Sequence, residues 1–255
     1  MKITYVSLAL ALIILACEPK KHDDQASATE DTTAVDTMKV SYAAKLTDQQ
    51  KADGWKLLFD GETLTGLRFF KNQPNDSWEV VEGTLHCKPF AENKENKRSD
   101  IMTADEYENF ELSFDWKISA QGNSGVMYRV SEQFDQPYKS GPEYQVLDDG
   151  GYPGETKDKN MTACNYDMNE APGKKMNPVG EWNSSKIVAN GNHIEHWLNG
   201  AKVLEYEIGS PDWKKRKAIS KWKDEAGYGM TKKGFIDFQD HSHEAWFKNI
   251  MIKTL

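Results

Sequence analysis

Between Phe110 and Ile118 every even position is apolar (Phe110, Leu112, Phe114, Trp116, Ile118) and every odd one is polar (Glu111, Ser113, Asp115, Lys117). Successive side chains on a strand point to opposite faces, so this run reads as a strand with one dry face and one wet one. The same period suits Ser124 to Val130, Tyr144 to Leu147, Trp182 to Ala189, His193 to Leu198, Lys202 to Ile208, Phe235 to His241 and Ala245 to Lys253. Asn199-Gly200 separates two of these runs, and a tight two-residue turn needs the left-handed backbone angles that Asn and Gly tolerate, so a hairpin is expected there. Asp60-Gly61, Glu82-Gly83 and Asn190-Gly191 carry weaker turn signals of the same kind. Many short strands with frequent turns point to an all-β fold, a two-sheet antiparallel β-sandwich or jelly roll with little helix. The exceptions are Thr47 to Asp53, which opens on a Thr cap with Gln at the third helical position, and Pro211 to Lys223, read as a loop with a helical turn.

The N-terminus follows a different logic. A basic start (Lys2), an apolar run from Val6 to Leu15 and the small-residue context Leu15-Ala16-Cys17 read as a signal peptide over residues 1–16. The run is well short of the ~20 residues needed to cross a bilayer as a helix. Ile14-Leu15-Ala16-Cys17 resembles the lipobox of bacterial lipoproteins, in which the signal is removed before a lipidated cysteine. That resemblance implies an acylated Cys17, a lipid anchor and a place in the cell envelope; two or more acyl chains hold a protein firmly where one binds only marginally. Residues 17–44, rich in Glu, Lys, Asp, Ser, Thr and Ala and almost free of aromatics, read as a tether. Residues 45–255 fit one domain of ordinary sandwich length.

A formal charge of −8 argues against a nucleic-acid partner. Of the three cysteines, Cys87 and Cys164 remain once Cys17 is assigned to lipid, and their spacing leaves a disulfide and two free thiols equally open. There is no Gly-rich phosphate loop, no His-Glu-x-x-His pattern and no Gly-x-Ser-x-Gly elbow, against nucleotide enzymes, common zinc proteases and serine esterases.

Alternation also sorts the polar residues by face. Burial of Tyr144 and Val146 puts Glu143 and Gln145 together; burial of Ile236 and Phe238 puts Asp237, Gln239 and His241 together; Arg129 lies opposite Tyr128 and Val130. On one curved sheet these faces would make a groove of Arg, Glu, Gln and His. Such a groove suits a sugar, because amides and carboxylates bond hydroxyls directionally and rings such as Trp197, Trp213, Trp222 or Tyr228 can cover the apolar face of a pyranose. Asp237, like Lys117 and Ser113, is expected on an ordinary solvated face. His193 and His196 fall on opposite sides of a strand, against a shared metal. Asp240, His241 and His243 with Glu143 are the candidate ligands for a divalent ion, the one cofactor the pattern suggests.

Several stretches resemble the 3-keto-disaccharide hydrolase family: Gly54 to Gly61, Trp78 to Leu85, Asn109 to Leu112, Asn123 to Arg129, Gly141 to Asp148, Gly180 to Asn183, Glu195 to Gly200 and Phe238 to His241, in that order. The resemblance spans Gly54 to Leu255. It implies a concanavalin A-like sandwich acting on a glycoside whose carbon-3 hydroxyl a partner sugar 3-dehydrogenase has oxidised to a ketone. A C3 ketone acidifies the C2 proton, so a base can eliminate the aglycone from C1 and water can add back. In this reading His241 or Glu143 is the base, and Arg129 or a bound divalent ion stabilises the enolate. Gln145, Gln239 and Asp148 orient hydroxyls, and Trp197 covers the sugar. The rival reading is a non-catalytic carbohydrate-binding lipoprotein, because such sandwiches serve as lectins as readily as enzymes.

Overall fold

The computed structural model describes residues 41–93 and 95–255. The expected signal peptide, Cys17 and nearly all of the tether lie outside the described residues. Residues 41–44, assigned to the tether on composition, are pinned to the folded unit: Ala44 N–H donates to the Asp60 carbonyl at 2.8 Å and Ser41 Oγ to Glu62 at 2.9 Å.

Among the described residues thirteen strands are formed: Lys56–Leu57 (β1), Leu67–Phe69 (β2), Trp78–Val81 (β3), Thr84–Cys87 (β4), Ile101–Thr103 (β5), Phe110–Ile118 (β6), Asn123–Val130 (β7), Glu143–Leu147 (β8), Asn183–Asn190 (β9), His193–Leu198 (β10), Ala201–Glu207 (β11), Phe235–Phe238 (β12) and Ala245–Thr254 (β13). They make two antiparallel sheets, one ordered β11-β10-β9-β6-β13-β4-β3 with β1 beside β13, the other β2-β5-β12-β7-β8. The expected two-sheet sandwich is therefore the fold. Asn199 and Gly200, at φ 47° and 82°, turn the β10–β11 hairpin as expected.

The apolar half of each alternating strand faces the other sheet. Phe110, Phe114 and Trp116 of β6 and Phe247 of β13 meet Tyr128, Tyr144 and Phe238 of the five-stranded sheet, all fully buried. Ring pairs cross the gap edge-to-face, Phe114 with Tyr144 at 5.6 Å and Phe238 with Phe247 at 5.0 Å. His196 is a core residue of this layer: Tyr128 Oη lies 3.0 Å from its Nε2 and the Ala163 carbonyl 2.8 Å from its Nδ1. Burial pushes its pKa down to about 4, so it packs neutral, while His193 faces outward toward Glu207. Cys87 and Cys164 are both buried free thiols.

Helix is scarce. Thr47 caps α1 (Asp48–Ala52) and its reciprocal bonds with Gln50 complete the expected capping box. The second segment is more regular than its composition suggested, a helix α2 over Pro211–Ala218 capped by Ser210. Its Trp213 stacks into a pile of rings, Tyr206, Trp213, Tyr228 and Trp222, at centroid spacings of 5.5, 5.6 and 4.8 Å.

Candidate active site on the outer face of the five-stranded sheet

Register places the chemistry. Met127 on β7 pairs with Glu143 on β8 and with Asp237 on β12, and Asp237 pairs with Met102 on β5. One step along, Gly125 pairs with Gln145, and Gln239 N–H donates to the Gly125 carbonyl at 2.9 Å. Because Val126, Tyr128, Tyr144, Val146, Ile236 and Phe238 point into the sandwich, these residues share the outer face. The expectation that Glu143, Gln145, Asp237 and Gln239 belong to one polar surface holds.

That surface is not washed by solvent. Glu143 is only 3% exposed. Its carboxyl lies across β7, where a Cβ on Gly125 would stand 2.2 Å from Oε1. Glycine is thus required for the carboxyl to lie there. Gln145, with its amide nitrogen turned to donate, reaches Glu143 Oε1 at 3.1 Å and the Ser124 carbonyl at 2.9 Å. Burial raises the Glu143 pKa to about 8, with Asp100 adding to the rise and Lys221 opposing it.

Asp237, expected on a solvated face, is fully buried, and no N–H or hydroxyl donor reaches either carboxylate oxygen. Its neighbour is Asp100, whose carboxyl accepts the Asp240 N–H at 2.8 Å. Two carboxylates facing each other can bond only when one holds a proton. Accordingly burial, then Asp100 and Glu143, push the Asp237 pKa far up, and burial pushes Asp100 to about 7. Gln239 Oε1 is also without a partner.

Two loops supply the nitrogen bases of the site. Lys221 holds its Nζ 4.0 Å from the Tyr166 ring centroid and 4.4 Å from that of Trp222. Burial lowers its pKa, against the pull of Glu143 and Asp167. His241 stands at the surface, its ring stacked on His243 with Nδ1 atoms 3.3 Å apart. Partial burial, then His243 and Lys221, lower its pKa, so the imidazole is neutral at pH 7. A cleft of about 440 Å³ opens beside this group, lined among others by Phe70, Arg98, Asp100, Gln136 and Asp240.

Other expected site residues lie elsewhere. Arg129 sits in a bulge at φ 56°, and its Nε and Nη2 donate to the Glu108 carbonyl at 3.0 and 2.6 Å. Met127 and Val130 on either side both pack into the outer apolar cluster, which turns Arg129 away from Glu143. Asp148 spends its carboxylate on the backbone N–H groups of Gln121, Gly150 and Gly151, as the clamp of a turn. Trp197 belongs to the other sheet, bonded to Glu195 at 2.7 Å under Lys186. Trp213, Trp222 and Tyr228 are buried in their stack and offer no platform for a sugar. Asp240 accepts from Arg98 Nε at 2.9 Å and Ser77 Oγ at 2.6 Å, which removes it from the candidate metal ligands. Among the described residues the one trio of His, Cys, Asp or Glu ligand atoms grouped within 4.8 Å is His193, Glu195 and Glu205, on the opposite sheet.

Three contributors were not foreseen. Asp100 precedes a three-residue strand too short to show alternation, and Lys221 lies in a stretch read as a loop. Gly125 did carry a signal, since a glycine inside a strand marks close approach.

Residues 54–253 match the model of a family described as 3-keto-alpha-glucoside-1,2-lyase-like domains. Over their full lengths the chain is 30% identical to a 3-keto-disaccharide hydrolase of Bacteroides thetaiotaomicron. A candidate glycosyl hydrolase of Parabacteroides distasonis is 40% identical, with a TM-score of 0.76 over 83% of this chain and 98% of that one. A second from the same organism is 29% identical, with a TM-score of 0.60 over 79% and 99%.

Proposed function

Because this chain belongs to the 3-keto-alpha-glucoside-1,2-lyase-like family, we propose that it cleaves glycosides already oxidised to a ketone at C3, by elimination followed by hydration. A base removes the C2 proton, the electron pair of that bond forms the C1–C2 double bond through an enolate, the C1–oxygen bond breaks, and the departing oxygen takes up a proton. Water then adds across the double bond, for net hydrolysis. A sugar 3-dehydrogenase supplies the ketone, and Cys17 holds the enzyme in the cell envelope.

The observation that carries this reading is a buried carboxyl, Glu143, and an exposed imidazole, His241, beside one polar face. His241 is uncharged and exposed, ready to accept a proton, while burial keeps Glu143 protonated at neutral pH, ready to give one. His241 is the base and Glu143 the acid. Lys221 stabilises the enolate in place of Arg129, whose guanidinium is committed elsewhere. Gln145 and Gln239 orient the ring hydroxyls.

The test is aglycone release from a panel of 3-keto-glucosides and their unoxidised parents, with and without chelator. Release from the keto-substrates alone supports the reading, and its loss on chelation would add a metal. No release, with binding to plain glycans retained, would make the protein a carbohydrate-binding lipoprotein.

A further inference from the structure

Between Pro211 and Lys233 an acidic chain turns basic. This stretch carries seven lysines and one arginine against two aspartates and one glutamate, eight positive charges to three negative, where the whole chain stands at −8. Three of the eight are used inside the protein. Arg216 Nε donates to Asp212 at 2.6 Å, Lys217 Nζ donates to the Glu225 carbonyl at 2.7 Å, and Lys221 turns over the rings of Tyr166 and Trp222 at the catalytic face. The other five, Lys214, Lys215, Lys223, Lys232 and Lys233, are exposed, and no carboxylate pairs with them among the described residues. The same stretch holds the two most exposed large apolar side chains of the described residues, Ile219 at 77% and Met230 at 67%.

The backbone that presents these groups is pinned. Trp213 of α2 stacks on Tyr228, and Tyr228 on Trp222, so α2 and the segment after it fold back on one another. Trp222 Nε1 donates to the Tyr166 carbonyl at 2.9 Å, and Gly229 N–H to that of Ser140 at 2.8 Å. The rings go inward, and lysines with two aliphatic side chains are left outside.

That combination selects its partner. Unpaired lysines call for a surface of many anionic groups, and Ile219 and Met230 call for an apolar phase beside it. A polyanionic glycan or nucleic acid supplies only the first, and Trp213, Trp222 and Tyr228 are buried where neither sugar nor base can stack on them. A layer of acidic phospholipid supplies both, phosphates for the ammonium groups and the acyl boundary for the aliphatic side chains. Lysine stems lie along such a boundary with their charges at the phosphates. The tether expected from Cys17 would keep the domain within roughly 30 Å of a bilayer.

We propose that the face formed by Pro211–Lys233 docks on an anionic phospholipid surface, with Lys214, Lys215 and Lys223 at the headgroup phosphates and Ile219 and Met230 in the acyl boundary. The inference is independent of the keto-glycoside reading, because none of these five side chains takes part in the chemistry assigned above.

The full chain carrying Cys17→Ser, so that no acyl chain contributes, is sedimented with vesicles of phosphatidylcholine alone and with vesicles containing about one-third phosphatidylglycerol. Whatever the N-terminal apolar run adds is common to every variant. Binding should favour the anionic vesicles at least tenfold at low ionic strength and lose that preference in high salt. Adding Lys214→Gln/Lys215→Gln/Lys223→Gln should lower binding to the anionic vesicles about 10²-fold, about fivefold for each lysine, with the circular dichroism spectrum retained. Adding Ile219→Ser/Met230→Ser instead should lower it about tenfold. Equal binding to both kinds of vesicle, or an unchanged affinity in the lysine variant, overturns the proposal. So does an apolar variant that binds the anionic vesicles as well as its parent, which would make the face a site for soluble polyanions.

Discussion

The two sheets present outer faces written in the same alternating code but governed by opposite electrostatics. On the eight-stranded sheet the outward residues are spent in partly exposed pairs, Lys253 with Glu111 at 2.9 Å and Lys202 with Glu195 at 3.2 Å, and in cations over rings, Lys117 on Trp246 and Lys248 on Trp182, each at 4.0 Å. Pairs of this kind contribute a fraction of a kcal/mol. On the five-stranded sheet the equivalent positions hold Glu143 and Asp237, joined there by Asp100, with no cation in salt-bridge contact with any of the three among the described residues. The difference is not in the strands but in what lies over them. Residues 163–166 bond to β8, with Tyr166 N–H donating to the Glu143 carbonyl at 3.1 Å, and Lys221 and Trp222 fold against Tyr166. Water is displaced, and carboxyl groups that would idle on one sheet become protonated acids on the other.

The sharpest way to break this contrast is to remove the groups it makes reactive. Glu143→Gln and His241→Ala are each expected to lower kcat by about 10²–10⁴ with the circular dichroism spectrum retained. Near-normal turnover in either variant removes that residue from the mechanism. Gly125→Ala tests the placement of Glu143 without touching it: the new methyl occupies the carboxyl's position, and a displacement of this order should cost about 10² in kcat.

The proton states predict a bell-shaped dependence of kcat/KM on pH. Activity should rise through the His241 pKa, held below its ordinary value of 6.5, and fall as Glu143 ionises near pH 8. Glu143→Gln should remove the alkaline limb from whatever activity remains. A wild-type profile flat from pH 5 to 9 would contradict the assignment.

The smallest effect is on stability. A carboxyl whose folded pKa is raised favours folding least once the unfolded chain has ionised, so stability falls as pH climbs from the ordinary carboxyl value near 4 toward the raised one. Asp237→Asn removes that penalty and should raise Tm by roughly 3–6 °C at pH 8, about 1–2 kcal/mol, and by less at pH 5. Glu205→Gln on the other sheet should change Tm little at either pH. Equal responses at the two positions would erase the distinction between the faces.

Much of this contrast was legible in the chain, and its limits have physical causes. Period-two alternation located the long strands and put Glu143 with Gln145 and Asp237 with Gln239, because side-chain direction in a strand is local. It also separated His193 from His196. Alternation names the face turned from the core, but not whether water or a loop covers that face, so Asp237 was expected in solvent. The same rule failed at Arg129, where one residue at φ 56° adds a bulge and shifts the parity of all that follows. Asp148 and Trp197 lie within family motifs, yet one clamps a turn and the other stands on the far sheet. Asp100 and Lys221 enter the site through tertiary packing of short or irregular segments, which no periodicity describes.

The central claim is that the bond broken first is C2–H, on a sugar already ketonic at C3. It is tested most directly by comparing a 3-keto-glucoside with its C2-deuterated form under the full chain, at the pH of maximal activity. The account predicts slower consumption of the deuterated substrate, passage through an unsaturated ketone visible by ultraviolet absorbance, and no cleavage of the unoxidised glucoside. Equal rates for the two isotopologues, together with cleavage of the unoxidised glucoside, would contradict it and point to ordinary acid–base hydrolysis at C1.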